Sequence, residues 1–176
     1  MLDVMVDIET TGTDPEHSAI IQIAAVRFNL ETKEINSESM FNRCMWMPHG
    51  RYWAEDTRSW WNRQKPEVLA GIYERQEDPG TVMRAFHAWS IEKPVLAPLR
   101  FWAKPTSFDF TFVASYFKSF DLMNPYHFRE ATDLNSYLRG RGHQDVNSFW
   151  KDVPPVGDAH NALHDVLYQI KGLFAS

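Results

Sequence analysis

The stretch "VMVDIETTG", residues 4–12, constrains what this chain can become more than any other. Val4, Val6 and Ile8 recur at every second position, the period of a strand, whose successive side chains point to opposite faces. One face is then apolar, and Asp7 and Glu9 share the other. A charge in such a run is costly unless something pairs with it, and no Lys or Arg lies nearby in sequence. Two adjacent carboxylates repel, and one takes up a proton unless a cation lies between them. Divalent magnesium or manganese, which prefer oxygen ligands, suit that position. The alternative is an edge strand with solvated acids.

The rest of the chain alternates strand and helix patterns. Residues 2–8, 19–29 and 34–45 read as three strands in a meander. Residues 55–76 read as helix in two pieces, broken before Pro66, with Asp56 as an N-cap. Residues 80–93 form a third helical stretch, and 95–104 contain a short strand. Residues 107–120 predict a helix capped by Ser107, with Phe112, Val113, Tyr116, Phe117 and Phe120 on one stripe. The last helix spans about 159–174, and Ala162, Leu163, Val166, Leu167, Ile170 and Phe174 form its apolar face. Strands first, then helices around a further strand, imply a mixed sheet covered by helices.

Two further acids lie on those stripes. Asp109 precedes Phe112, Val113 and Tyr116 by three, four and seven residues, so it shares their buried face in the first turn. A first-turn acid favoured by the helix dipole is the competing explanation. Asp165 borders the apolar stripe of the last helix, where a surface acid is the better reading of that residue alone. His160 precedes Asp165 by five residues, about 140° around a helix. The two cannot share a helical face, so His160 is expected in the loop "VGDAHN", turned toward Asp165, unless it serves only structure.

Composition narrows the class. At 176 residues, 44% hydrophobic and 14% aromatic, the chain has enough material for one packed domain over 1–176. Its one cysteine, Cys44, excludes an internal disulfide and a cysteine-rich zinc site, and suits a reducing, cytoplasmic setting. Neither a signal peptide nor a membrane span is expected. The net charge of −5 speaks against a binder that relies on clustered positive charge. Bound cations would reverse that field locally.

Four carboxylates and a histidine in the order Asp-x-Glu, Asp, His-x4-Asp resemble the DEDDh 3′–5′ exonucleases. The matching segments are "DIETTG" at 7–12, "SFDF" at 107–110 and "HNALHD" at 160–165. The segment "DTRSWWNRQ" at 56–64 looks like small phage and mycobacterial exoribonuclease-like members. The sequence departs from better-known members before Asp109, where "RFWAKPTSFDF" is aromatic. The resemblance implies an RNase H-like α/β fold with a mixed five-stranded sheet flanked by helices. It implies two divalent cations, Mg2+ or Mn2+, held by Asp7, Glu9, Asp109 and Asp165, with His160 as general base. The implied reaction is hydrolysis of single-stranded DNA or RNA from the 3′ end to 5′-mononucleotides.

Substrate-binding candidates follow from position. Thr10 and Thr11 are placed to contact a terminal sugar, and Gly12 permits close backbone approach, although a turn alone explains it. Trp60 and Trp61 diverge by about 100° on a helix. One of them can pack inward while the other stacks on a base, or both serve the core or a homodimer interface. Two rival functions stay open: a nucleic-acid-binding module on an inactive nuclease fold, and a phosphohydrolase of free nucleotides or dinucleotides. Discrimination between RNA and DNA depends on contacts to a 2′-OH that no residue reveals.

Overall fold

The computed structural model describes residues 2–92 and 98–176. Among these residues, six strands form one mixed sheet. They are β1 (Leu2–Thr10), β2 (Ile20–Asn29), β3 (Glu34–Met45), β4 (Gln76–Glu77), β5 (Leu99–Ala103) and β6 (Ala131–Asp133). Their order across the sheet is β4-β3-β2-β1-β5-β6. β1 runs antiparallel to β2 and parallel to β5, so it lies inside the sheet. That position excludes the edge-strand explanation for its acids. The expected count of five strands is exceeded by the two-residue β4, which pairs with the end of β3 and is too short to leave a periodic pattern.

Both faces of the sheet centre are covered, which explains why β1, β2 and β5 are buried along most of their length. Val4, Val6 and Ile8 face α3 (Pro79–Ile91) and α4 (Thr106–Ser119), meeting Phe86, Phe112, Val113 and Phe117. On the opposite face, Met5, Ala24 and Val26 pack against Ala162, Val166 and Ile170 of α7 (Ala162–Ala175). Asp7 pairs in register with Ala24, and Glu9 with Gln22. Both acids therefore share the α7 face, at the end of β1. Helices α1 (Glu55–Trp61) and α2 (Pro66–Glu74) close a smaller apolar cluster around Ile21 and Cys44. Two short helices, α5 (Leu134–Gly140) and α6 (Val146–Asp152), precede α7. Among the described residues, no helix is long and apolar enough to cross a membrane.

Several boundaries differ from the sequence expectation. Asp56 and Ser107 lie inside the first turns of α1 and α4, whose N-caps are Ala54 and Pro105. A side-chain cap serves α3 instead, where Asp78 accepts from the Thr81 N–H at 2.8 Å. The short strand expected within 95–104 is Leu99–Ala103, and residues 93–97 lie outside the described residues. The last helix begins at Ala162 rather than 159, because Asn161 caps it and His160 holds a left-handed backbone with φ 63°.

Candidate active site

Three elements deliver the acids to one place. β1 brings Asp7 and Glu9, and Glu9 is only 7% exposed. Asp109 projects from the first turn of α4, and its Oδ1 accepts the Ile8 N–H at 3.2 Å. Asp165 projects from the first turn of α7, and its Oδ2 accepts the His160 N–H at 2.8 Å. That bond turns the loop before α7 back on itself, which the left-handed backbone of His160 permits. Glu9, His160 and Asp165 each present a ligand-capable atom, all within 4.8 Å of one another.

The electrostatics of this cluster are unfavourable as they stand. Burial pushes the Asp7 carboxyl well above its ordinary value, and the charges of Asp109, Glu9 and Asp165 push it further. Glu9 is raised by burial and then by Asp165 and Asp109. Asp109 is pushed up to about 8 by burial, against the opposing bond from Ile8. Asp165 is raised by burial despite its bond to His160. Among the described residues, no Lys or Arg lies within ion-pairing distance of any of the four. Converging carboxylates with an imidazole beside them form an oxygen-rich donor set, which fits a hard divalent cation.

A pH dependence of stability follows. Each of these acids keeps its proton to higher pH in the folded chain than in the unfolded one. Above the ordinary aspartate value of 3.8, the folded state therefore binds more protons, and stability without a cation falls as pH rises toward about 8. Asp14, Asp78 and Asp158 are held low by their hydrogen bonds, so they act in the opposite sense and below that window. In EDTA, the melting temperature should decline from about pH 5 to about pH 8. Mn2+ should raise it more at the higher pH, because a ligand gains where it no longer competes with protons. An Mn2+ shift of equal size at both ends would remove the cation assignment.

Beside Glu9 lies an open cleft of about 460 Å³, lined by Ile8, Thr10, Gly12, Trp60, Arg63 and Phe108 among others. The two tryptophans divide their roles. Trp61 is 3% exposed, and its indole N–H donates to the Thr10 carbonyl at 3.1 Å. It is the inward-packed member of the pair: it braces the end of β1 and offers the cleft only the edge of its wall. Trp60 is half-buried, with its ring edge-to-face on the His160 ring at 4.6 Å. Thr11 is corrected as a sugar contact. It is fully buried, its hydroxyl donating to the Tyr52 carbonyl at 2.8 Å and accepting from the Ala19 N–H at 2.7 Å. Thr10 borders the cleft, and its hydroxyl donates to the Gly12 carbonyl. A Cβ on Gly12 would run into Ser18 and Ala54, so the close approach that requires glycine there lies within the chain itself.

Three neighbours of the acids were not foreseen. Gln169, one turn after Asp165, donates from Nε2 to Asp7 Oδ1 at 2.8 Å. The available signal was a polar residue on the buried stripe, between Val166 and Leu173. Gln22, opposite Glu9, accepts the Ala162 N–H at 3.1 Å and docks the start of α7 on the sheet. Lys104 places its Nζ 4.1 Å from the centre of the Trp150 ring. Burial lowers its pKa, and the charges of Asp7 and Asp165 oppose that.

Comparison with known proteins adds a family and a fold. The model of the 3′–5′ exoribonuclease Rv2179c-like domain matches residues 2–175. No curated protein matches. Cell-death related nuclease 4 (CRN-4) aligns at 17% identity and TM-score 0.69, over 99% of this chain and 62% of that one. Exonuclease I from Methylocaldum szegediense aligns at 18% identity and TM-score 0.69, over 98% of this chain and 40% of that one. The zinc-bound E. coli exonuclease I–ssDNA complex gives 15% identity and TM-score 0.69, over 99% and 42%. The chain thus spans less than two thirds of each of these structures, and at such identities the likeness establishes the RNase H-like exonuclease fold.

Proposed function

The chain belongs to the Rv2179c-like 3′–5′ exoribonuclease domain family, and on that basis we propose that residues 1–176 act as one metal-dependent exonuclease domain. It shortens single-stranded RNA or DNA from the 3′ end and releases 5′-mononucleotides. The observation that carries this is the meeting of Asp7, Glu9, Asp109, Asp165 and His160, with Glu9 in the wall of the cleft. In this proposal the four acids hold two divalent cations, Mg2+ or Mn2+, which when bound supply charge neutralisation at the phosphate and activation of water at neutral pH.

The chain's own residues do the rest. His160 takes the proton of the attacking water at an imidazole nitrogen, and Trp60 holds the ring at its edge. The apolar walls formed by Trp60 and Phe108 receive the terminal base, a contact worth about 1–3 kcal/mol when the face is accessible. The Thr10 oxygen accepts from a sugar hydroxyl. Arg63 meets a backbone phosphate and fixes register.

Strands of RNA and DNA, single and double, each labelled at the 3′ or the 5′ end, test this with Mg2+, Mn2+ or a chelator. Label at the 3′ terminus should appear as mononucleotide from the first turnover, and only with a divalent cation. Retention of every strand as a stable complex, with no product under either metal, would instead identify an inactive binding module.

A further inference from the structure

Gln169 has a side chain that stability alone does not explain. It is 2% exposed, in the middle of the α7 face that packs on the sheet. Its Nε2 donates to Asp7 Oδ1 at 2.8 Å, while its Oε1 is buried with no hydrogen-bond partner among the described residues. A buried amide with half its capacity unmet is a burden that a methionine or leucine of similar volume would avoid. With Asp7 ionised as a cation ligand, the opposite amide orientation would set Oε1 against the Asp7 oxygen, acceptor against acceptor, so a cation-bound carboxylate dictates which end of the amide faces it. The group is therefore kept in place for what it does to Asp7.

We propose that Gln169 is a positioning residue of the cation site: its amide holds Asp7 in ligand orientation and makes the seating of α7 on the sheet a condition of metal binding. This rests on the reading that the four acids bind divalent cations. Asp165 leaves α7 one turn before Gln169, so the same helix supplies one acid directly and orients a second. The sheet supplies the backbone of the second acid, and Gln22 docks the helix start at the correct height. Outer partners of metal ligands act in this way, fixing the orientation of the ligand, and their loss weakens metal affinity by about 10–100-fold.

Calorimetric titration of the intact chain with Mn2+ provides the test, alongside thermal melting in EDTA. Gln169→Met removes the donor at nearly constant volume, and Gln169→Leu repeats the removal with a different shape. Asp165→Asn controls for the site itself. The expected result is Mn2+ affinity lowered about 10–100-fold in both Gln169 variants, with a melting temperature in EDTA at or above that of the parent. Parent-like affinity in the Gln169 variants, while Asp165→Asn loses binding, overturns the role of Gln169 and leaves the cation reading standing. Affinity lost only together with a collapse of the EDTA melt in both variants also overturns it, in favour of a structural role. No Mn2+ binding by the parent chain removes both.

Discussion

Asp7→Ala is expected to reduce release of 3′-terminal nucleotides to the assay background while the chain stays folded. The two halves of this result have separate causes. Asp7 is the acid most beset by its neighbours, since Asp109, Glu9 and Asp165 all raise its pKa on top of burial. Removing it relieves repulsion, so the cation-free melting temperature at about pH 8 should hold or rise. Activity responds in the opposite direction. Charge stabilisation by bound cations is worth several kcal/mol of barrier, and each ~1.4 kcal/mol is tenfold in rate. A loss on the order of 10³-fold or more follows. Asp7→Asn sharpens the point, because an asparagine Oδ1 still accepts from Gln169. It should keep that hydrogen bond and lose the rate, which assigns the effect to charge rather than to packing. Single-turnover assays with 3′-labelled strand, paired with melts in EDTA and Mn2+, measure both halves. Near-parental turnover in Asp7→Asn would take Asp7 out of the site.

The acids themselves were legible in the sequence because they obey short periods. A spacing of two on a strand put Asp7 and Glu9 on one face, and a spacing of three and four put Asp109 on the stripe of Phe112 and Val113. The 140° separation excluded a shared helical face for His160 and Asp165, and the structure puts His160 before the helix, bonded back to Asp165. What was not legible depends on partners far along the chain. Thr11 is consumed by Tyr52 and Ala19, and Gly12 by Ser18 and Ala54. Neither contact leaves a periodic trace, so the sequence alone does not separate a structural from a substrate role for either residue. The two tryptophans could be separated by angle but not assigned, because the inward direction of α1 is set by Ile21, Cys44 and Ile72. Gln169 meets an acid 162 positions away, and only its place on an apolar stripe marked it. β4 has two residues, below the length at which alternation can be seen.

His160→Ala should lower the rate by about 10²–10⁴-fold while strand affinity and Mn2+ affinity stay close to those of the parent. The substitution is clean because the hydrogen bond to Asp165 comes from the backbone N–H and survives removal of the ring. What disappears is the imidazole next to Glu9 and Asp165 and the edge contact with Trp60. The backbone argues for a task beyond packing. At φ 63° a residue with a Cβ pays about 1–3 kcal/mol that glycine does not, yet a histidine occupies the position. His160→Gly should therefore be as slow as His160→Ala and more stable by about 1 kcal/mol, which a denaturant titration reads directly. A third property separates proton transfer from metal ligation. If the ring accepts a proton, the rate falls in both variants and Mn2+ titrates as before. If the ring grips the cation with Glu9 and Asp165, Mn2+ affinity falls with the rate. Parental rates in His160→Gly, with the gain in stability present, would leave the ring no part in the chemistry and return the proton to solvent.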